Sequence, residues 1–167
     1  GNDGVLQLSN CLIVGVDEAG RGPLAGPVFA ASVVLDDRKP LPHLNDSKKL
    51  SPKKRSALSL LIKEHALCWS IASASVAEID SLNILHATLL AMRRAVHELP
   101  KGSYTVLIDG NQQPSGILYP CRTIVGGDAC EPAIMAASIL AKVARDEVMI
   151  ELAKQYPDYG FERHKGY

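Results

Sequence analysis

A chain of 167 residues is long enough for one domain with a real core and too short for two comfortable ones. Hydrophobic residues at 47% and charged residues at 22% exclude a disordered protein, and no unbroken run of about 18 apolar residues exists to span a membrane. Lys+Arg and Asp+Glu balance at 18 each, which argues against a protein that coats nucleic acid through bulk charge but leaves room for local patches of either sign.

Taken in chain order, Cys11 to Val16 is a short apolar run, partly β-branched, ending at Asp17-Glu18, and it predicts a buried strand. Gly20-Arg21-Gly22-Pro23 breaks it, and Pro27 to Leu35 predicts a second strand paired with the first. Asp36 to Leu50 is loop-like. Ser51-Pro52 supplies an N-cap and an N1 proline for a helix to about His65. Leu67 to Ser73 predicts a third strand, and two helices follow, Val76 to Ser81 and Ile84 to Leu99, stopped by Pro100 and Gly102. Tyr104 to Ile108 is a strand ending at Asp109-Gly110, and Tyr119 to Val125 another, ending near Gly126-Gly127-Asp128. A long helix runs from Glu131 or Pro132 to Gln155. This alternation predicts an α/β domain with a five-stranded mixed sheet, antiparallel early in the chain and parallel across the later helical crossovers. With no internal repeat, residues 1–167 read as one domain.

Cys11, Cys68, Cys121 and Cys130 are scattered without a C-x-x-C pair and read as free thiols of a reducing compartment. Gly1-Asn2-Asp3-Gly4 lacks the basic and apolar regions of a secretory signal, so a cytoplasmic location is expected.

The chemistry collects at strand ends. Asp17, Glu18 and Asp109 close apolar strands and Asp128 follows another; strand ends are where ligand sites gather in α/β sheets. Adjacent strand residues face opposite ways, so Glu18 can join Asp17 only if the chain turns at once, which Gly20 and Gly22 permit. Four gathered carboxylates repel one another unless cations neutralise them, and an all-oxygen ligand set suits Mg2+ or Mn2+ rather than zinc. Singly, each acid also fits a turn or cap, and spacing alone does not separate a nuclease from a phosphatase.

The motifs are more specific. Val14-Gly-Val-Asp-Glu-Ala-Gly-Arg-Gly-Pro23 resembles the D-E-A-G-R-G-P signature of the ribonuclease HII family, and Asp46-Ser-Lys-Lys-Leu50 its D-S-K-K-L. Ile108-Asp-Gly-Asn111 resembles the family's third acidic strand end. Gly127-Asp128 with Ala136-Ala-Ser-Ile-Leu-Ala-Lys-Val-Ala-Arg-Asp146 resembles its last acid and following helix, and His164-Lys-Gly-Tyr167 its H-K-G-Y. The matches fall in family order over nearly the whole chain. The resemblance implies a ribonuclease H-like fold, and Asp17, Glu18, Asp109 and Asp128 as catalytic, metal-binding acids holding Mg2+ or Mn2+, two ions with substrate. It implies hydrolysis of the RNA strand of RNA–DNA hybrids. It also implies cleavage 5′ of single ribonucleotides embedded in duplex DNA. A monomer without membrane attachment is expected.

It further implies that the Gly20-Arg21-Gly22 backbone reads the 2′-hydroxyl, a group both donor and acceptor, and that Tyr167 packs on the sugar beside the ribonucleotide. Lys48 and Lys49 are expected on the phosphate backbone; Lys53, Lys54 and Arg55 extend that basic patch or only decorate a helix. Ser138, Lys142 and Arg145 share one stripe of the long helix, expected to face the nucleic acid, while Ile139, Leu140, Val143 and Ile150 face the sheet. Two departures stand out: Gly126 occupies a position where the family usually has lysine, and the sequence stops at Tyr167 where the family continues into a helical tail.

Three rivals fare worse. Ribonuclease HIII usually carries an additional N-terminal substrate-binding domain, for which there is no room. A non-catalytic nucleic-acid-binding module predicts missing acids and a strongly basic chain. A phosphatase or sugar kinase on a related fold needs a nucleotide-cradling glycine loop near a second domain, which the length excludes.

Overall fold

β1 (Leu12–Ala19) is the middle strand of a five-stranded sheet. Antiparallel to it runs β2 (Val28–Val34), with Asp17 opposite Ala31 and Glu18 opposite Ala30. On its other side β4 (Tyr104–Asp109) runs parallel, with Val16 opposite Ile108. β3 (Cys68–Ala74) pairs antiparallel with β2, and β5 (Cys121–Ile124) pairs parallel with β4, giving the order β3-β2-β1-β4-β5. A computed structural model describes residues 11–21 and 26–155. The mixed sheet expected from the sequence is therefore present, antiparallel early and parallel across the later crossover.

The helices start where local chemistry directs. The Ser51 hydroxyl accepts the Lys54 N–H at 3.3 Å and Pro52 opens α1 (Pro52–His65). A 3-10 turn, Leu44–Lys49, occupies the segment read as loop. α2 (Val76–His97) begins with a capping box between Ser75 and Glu78. Its helical run is broken at Asn83, whose φ of 72° lies in the left-handed region, and the Asn83 Oδ1 accepts the His86 N–H at 3.0 Å to restart the helix. The two helices expected here thus meet at a sharp turn. Arg94 consequently reaches Glu78 at 2.5 Å, although 16 residues of straight helix would hold them about 24 Å apart. After β5 come a single turn, α3 (Gly127–Cys130), and α4 (Pro132–Gln155).

α2 covers one face of the sheet, burying Val14, Val16, Val106 and Ile108 against Ala87, Ala91 and Ala95. The Ser32 and Ser70 hydroxyls, 2.6 Å apart, both reach the Ala95 carbonyl there and satisfy one another inside that core. α1 and α4 cover the other face, packing Leu58, Ile62, Ile139 and Leu140 over Ala31 and Val33.

α4 lies unusually close to β1. A Cβ on Gly15 would stand 2.1 Å from the Ala133 carbonyl carbon and 2.3 Å from the Ile134 nitrogen, so only glycine admits the helix at that distance. The stripe expected on α4 needs correction. Arg145 is 0% exposed and Ile150 is 41% exposed, the reverse of the expectation. The helix packs on the sheet, on α1 and on the 3-10 turn together, so its first half has no single polar side to read in the sequence.

Candidate functional site

The parallel pairing of β1 and β4 sets Asp17 and Asp109 side by side at the same end of the sheet, one residue beyond the Val16–Ile108 pair. Gly127 and Asp128 open the turn after β5, and the Asp128 N–H is donated to Asp109 Oδ1 at 3.1 Å. Carboxylate oxygens of Asp17, Asp109 and Asp128 lie within 4.8 Å of one another.

Glu18 arrives differently from the expectation. The strand runs on to Ala19 instead of turning after Glu18, so Asp17 faces α4 while Glu18 faces α2. The two still meet: the Glu18 N–H is donated to Asp17 Oδ1 at 2.8 Å, and the Glu18 carboxylate acts on Asp17 and Asp109. Glu18 and Asp109 both line a cavity of about 270 Å³ with Arg21, Thr88, Asn111 and Gln112. Asn111 and Gln112 were not singled out from the sequence; the one signal for them was the Asp-Gly-Asn turn that ends β4.

The electrostatics are those of an incompletely neutralised anionic site. Asp17 is 3% exposed, and burial, then the Glu18 and Asp109 carboxylates, push its carboxyl well above the usual range. Burial likewise raises Asp109, against the opposing pull of the Asp128 N–H. Glu18 Oε2 is buried with no hydrogen-bond partner among the described residues. Carboxylate oxygens only, mutually repelling and one of them orphaned, are a donor set that fits a hard divalent cation such as Mg2+ or Mn2+. Residues of the chain supply part of the missing charge. Lys48 Nζ pairs with Asp128 Oδ2 at 2.9 Å, and that contact raises its pKa. Arg21 stands 3.8 Å from Glu18. Lys142, on α4, faces Asp17 and Asp128, and burial lowers its pKa.

The other expected residues divide. Gly20, at φ +104°, packs directly on Arg145, so the start of the Gly20-Arg21-Gly22 segment rests on α4. Lys49 is exposed beside Lys48. Ser138 is only 4% exposed, one helical turn before Lys142, beneath the surface rather than on it. Gly126 takes φ +69° at the start of α3, with open space where a Cβ would be. Gly22 and Tyr167 lie outside the described residues, as does His164. The described cysteines are free thiols, and no helix among the described residues is long and apolar enough to cross a membrane.

Comparison with known proteins bears on this arrangement. A family profile described as Ribonuclease HII matches residues 14–167. The chain is 60% identical over 156 residues to the ribonuclease HII of Azoarcus sp. strain BH72, covering 93% of this chain and 76% of that one. Among solved structures it is similar to ribonuclease H2 from Pyrococcus horikoshii, with a TM-score of 0.74 and 27% identity, covering 86% of this chain and 76% of that one. It also shares the fold of Bst ribonuclease HIII in complex with Mn2+, at 20% identity and a TM-score of 0.68, covering 90% of this chain and 56% of that one.

Proposed function

From the premise that this chain belongs to the ribonuclease HII family, and is thus a metal-dependent ribonuclease, we propose that it cuts the RNA strand of RNA–DNA hybrids and cuts 5′ of single ribonucleotides in duplex DNA. The observation that carries this reading is the convergence of the Asp17, Asp109 and Asp128 oxygens within 4.8 Å at one end of two parallel strands. Asp17, Glu18, Asp109 and Asp128 are proposed to hold divalent ions, Mg2+ or Mn2+, two of them with substrate. When bound, such ions lower the pKa of an attacking water and stabilise the leaving 3′-oxygen.

The protein's own groups do the rest. The rigid pairing of β1 with β4 fixes two of the acids, and the N–H of Asp128 ties the third to Asp109, so the donor set is assembled before substrate arrives. Lys142 and Lys48 stand beside the acids and, with the exposed Lys49 next in the chain, suit the phosphates of the scissile strand, with Ser138 buried one turn behind Lys142. The backbone of Gly20-Arg21-Gly22 is proposed to read the 2′-hydroxyl, and Tyr167 to pack on the neighbouring sugar. No side-chain nucleophile is required, and the products carry 5′-phosphate and 3′-hydroxyl ends. We take the chain to act as one catalytic domain and as a cytoplasmic monomer.

The test is a labelled duplex holding one ribonucleotide, incubated with and without Mg2+ or Mn2+. Cleavage 5′ of the ribose only with metal is expected. Metal-independent cleavage, or a 2′,3′-cyclic phosphate end, would overturn the proposal.

A further inference from the structure

Lys48 is a flexible cation seated on an anionic site. Its ammonium is 2.9 Å from Asp128 Oδ2 and within electrostatic reach of Asp109 and Asp17, yet its side chain is 54% exposed. Glu18 has its own cation in Arg21. Asp17, Asp109 and Asp128 therefore carry three formal negative charges, against which Lys48 and Lys142 set two positive ones. A divalent ion added to that set overshoots neutrality by one charge, and the release of one ammonium restores the balance. Lys142 is half-buried on a helix held by the sheet and α1, whereas Lys48 sits at the exposed end of the 3-10 turn, so Lys48 is the group free to leave.

We propose that Lys48 is a displaceable internal counter-ion, which occupies the anionic centre in the metal-free protein and is ejected by divalent-ion binding toward the path of the substrate backbone. The proposal rests on the reading of the three aspartates as metal ligands. It adds an ordering to that reading. Without metal, Asp128 holds Lys48 and the strand finds one fewer cation; with metal, the freed ammonium is offered to a phosphate. Metal and substrate then each favour the binding of the other, by the same factor.

The experiment is Mn2+ titration of the substrate-free chain, followed by calorimetry and by the electron paramagnetic resonance signal of free Mn2+. It compares wild type, Lys48→Met, Lys48→Gln, Asp128→Asn and, as a charge control on the exposed start of α1, Lys53→Met. Both Lys48 variants should bind Mn2+ roughly three- to tenfold more tightly, because no ion pair has to be broken and no ammonium repels the ion. Lys53→Met should match wild type, and Asp128→Asn should bind more weakly. Unchanged or weaker binding in both Lys48 variants, with Asp128→Asn still weakened, overturns the counter-ion role and leaves the metal-ligand reading standing. Equal tightening in Lys53→Met overturns it too, as a bulk charge effect. Wild-type affinity in Asp128→Asn overturns the ligand reading itself.

Discussion

Asp109 holds Asp128 in place: its Oδ1 accepts the Asp128 backbone N–H at 3.1 Å, so one acid of the site fixes the chain position of another. The charge of Asp109 and its acceptor oxygen are separable. Asp109→Asn keeps an oxygen for that N–H and loses the negative charge, so it should lower cleavage by roughly a hundredfold or more with little change in melting temperature. Asp109→Ala should in addition lose about 1 kcal/mol of stability relative to Asn, as the N–H loses its acceptor. Cleavage assays and thermal melts of the two variants check this; wild-type cleavage by Asp109→Asn would remove Asp109 from the site.

Asp17 is buried and repelled by Glu18 and Asp109, so its charge opposes folding when no cation is present. Asp17→Asn should raise the melting temperature measured in chelator. Addition of Mn2+ should stabilise wild type by about 2.7 kcal/mol at a hundredfold excess over the dissociation constant, raising its melting temperature, and should raise the variant's much less. Differential scanning calorimetry with and without Mn2+ reads both effects.

Gly15→Ala places a methyl group 2.1 Å from the backbone of Ala133, where no flexible side chain can yield. The start of α4 must shift. A loss of at least about 1–3 kcal/mol is expected, at about 2–4 °C of melting temperature per kcal/mol for a chain of this size. Since α4 also carries Lys142, cleavage measured well below the melting temperature should fall as well.

Glu78 titrates at about 2, held there first by its hydrogen bonds from Arg94. A carboxyl depressed on folding stabilises the native state above its unfolded pKa, and that contribution fades as pH falls from there through the folded value. Urea melts of wild type and Glu78→Gln should therefore differ at pH 7 by a margin that is constant down to about pH 5 and shrinks steadily between about pH 4.5 and 2. A margin that stays constant over that lower window would show that the ion pair across the Asn83 turn contributes nothing.

Tyr167→Ala separates selection from chemistry. Loss of aromatic packing on a nucleotide costs on the order of 1–3 kcal/mol, roughly tenfold or more in rate at low substrate. The loss should be larger on a duplex with one ribonucleotide than on a long hybrid, with the metal requirement unchanged. Equal losses on the two substrates would reduce Tyr167 to a general support.

Much of this was legible in the residues. Ser51-Pro52 and Asn83 carry cap and turn chemistry that acts locally, so the bounds of α1 and the interruption of α2 follow from sequence. The acids at the ends of β1 and β4 are legible for a similar reason, since an apolar run that stops at a charge marks a strand end. What was not legible depends on what packs behind. Glu18 was expected to swing round a turn, but β2 pairs with β1 out to Ala19 and keeps it in the strand. Arg145 sits under Gly20 and Ser138 is buried because α4 is enclosed from several sides, which no single helical stripe records. The Lys48–Asp128 pair joins a 3-10 turn to a turn far away in the chain, and neither motif alone announces it.

The order of the strands has a consequence for how the protein comes into being. Asp17 belongs to the first strand and Asp109 to the fourth, so their pairing closes across the whole β2-α1-β3-α2 segment. Asp128 lies further on in the chain, just after β5, which pairs with β4. Non-local parallel pairing of this kind is slow, because the loop must be closed before the contact is made. A chain emerging from the ribosome therefore has no complete set of acids until its sheet is nearly finished. If these acids hold the metal as proposed, a half-made molecule lacks the set that binds it, and a divalent ion taken up at the end would stabilise the finished form.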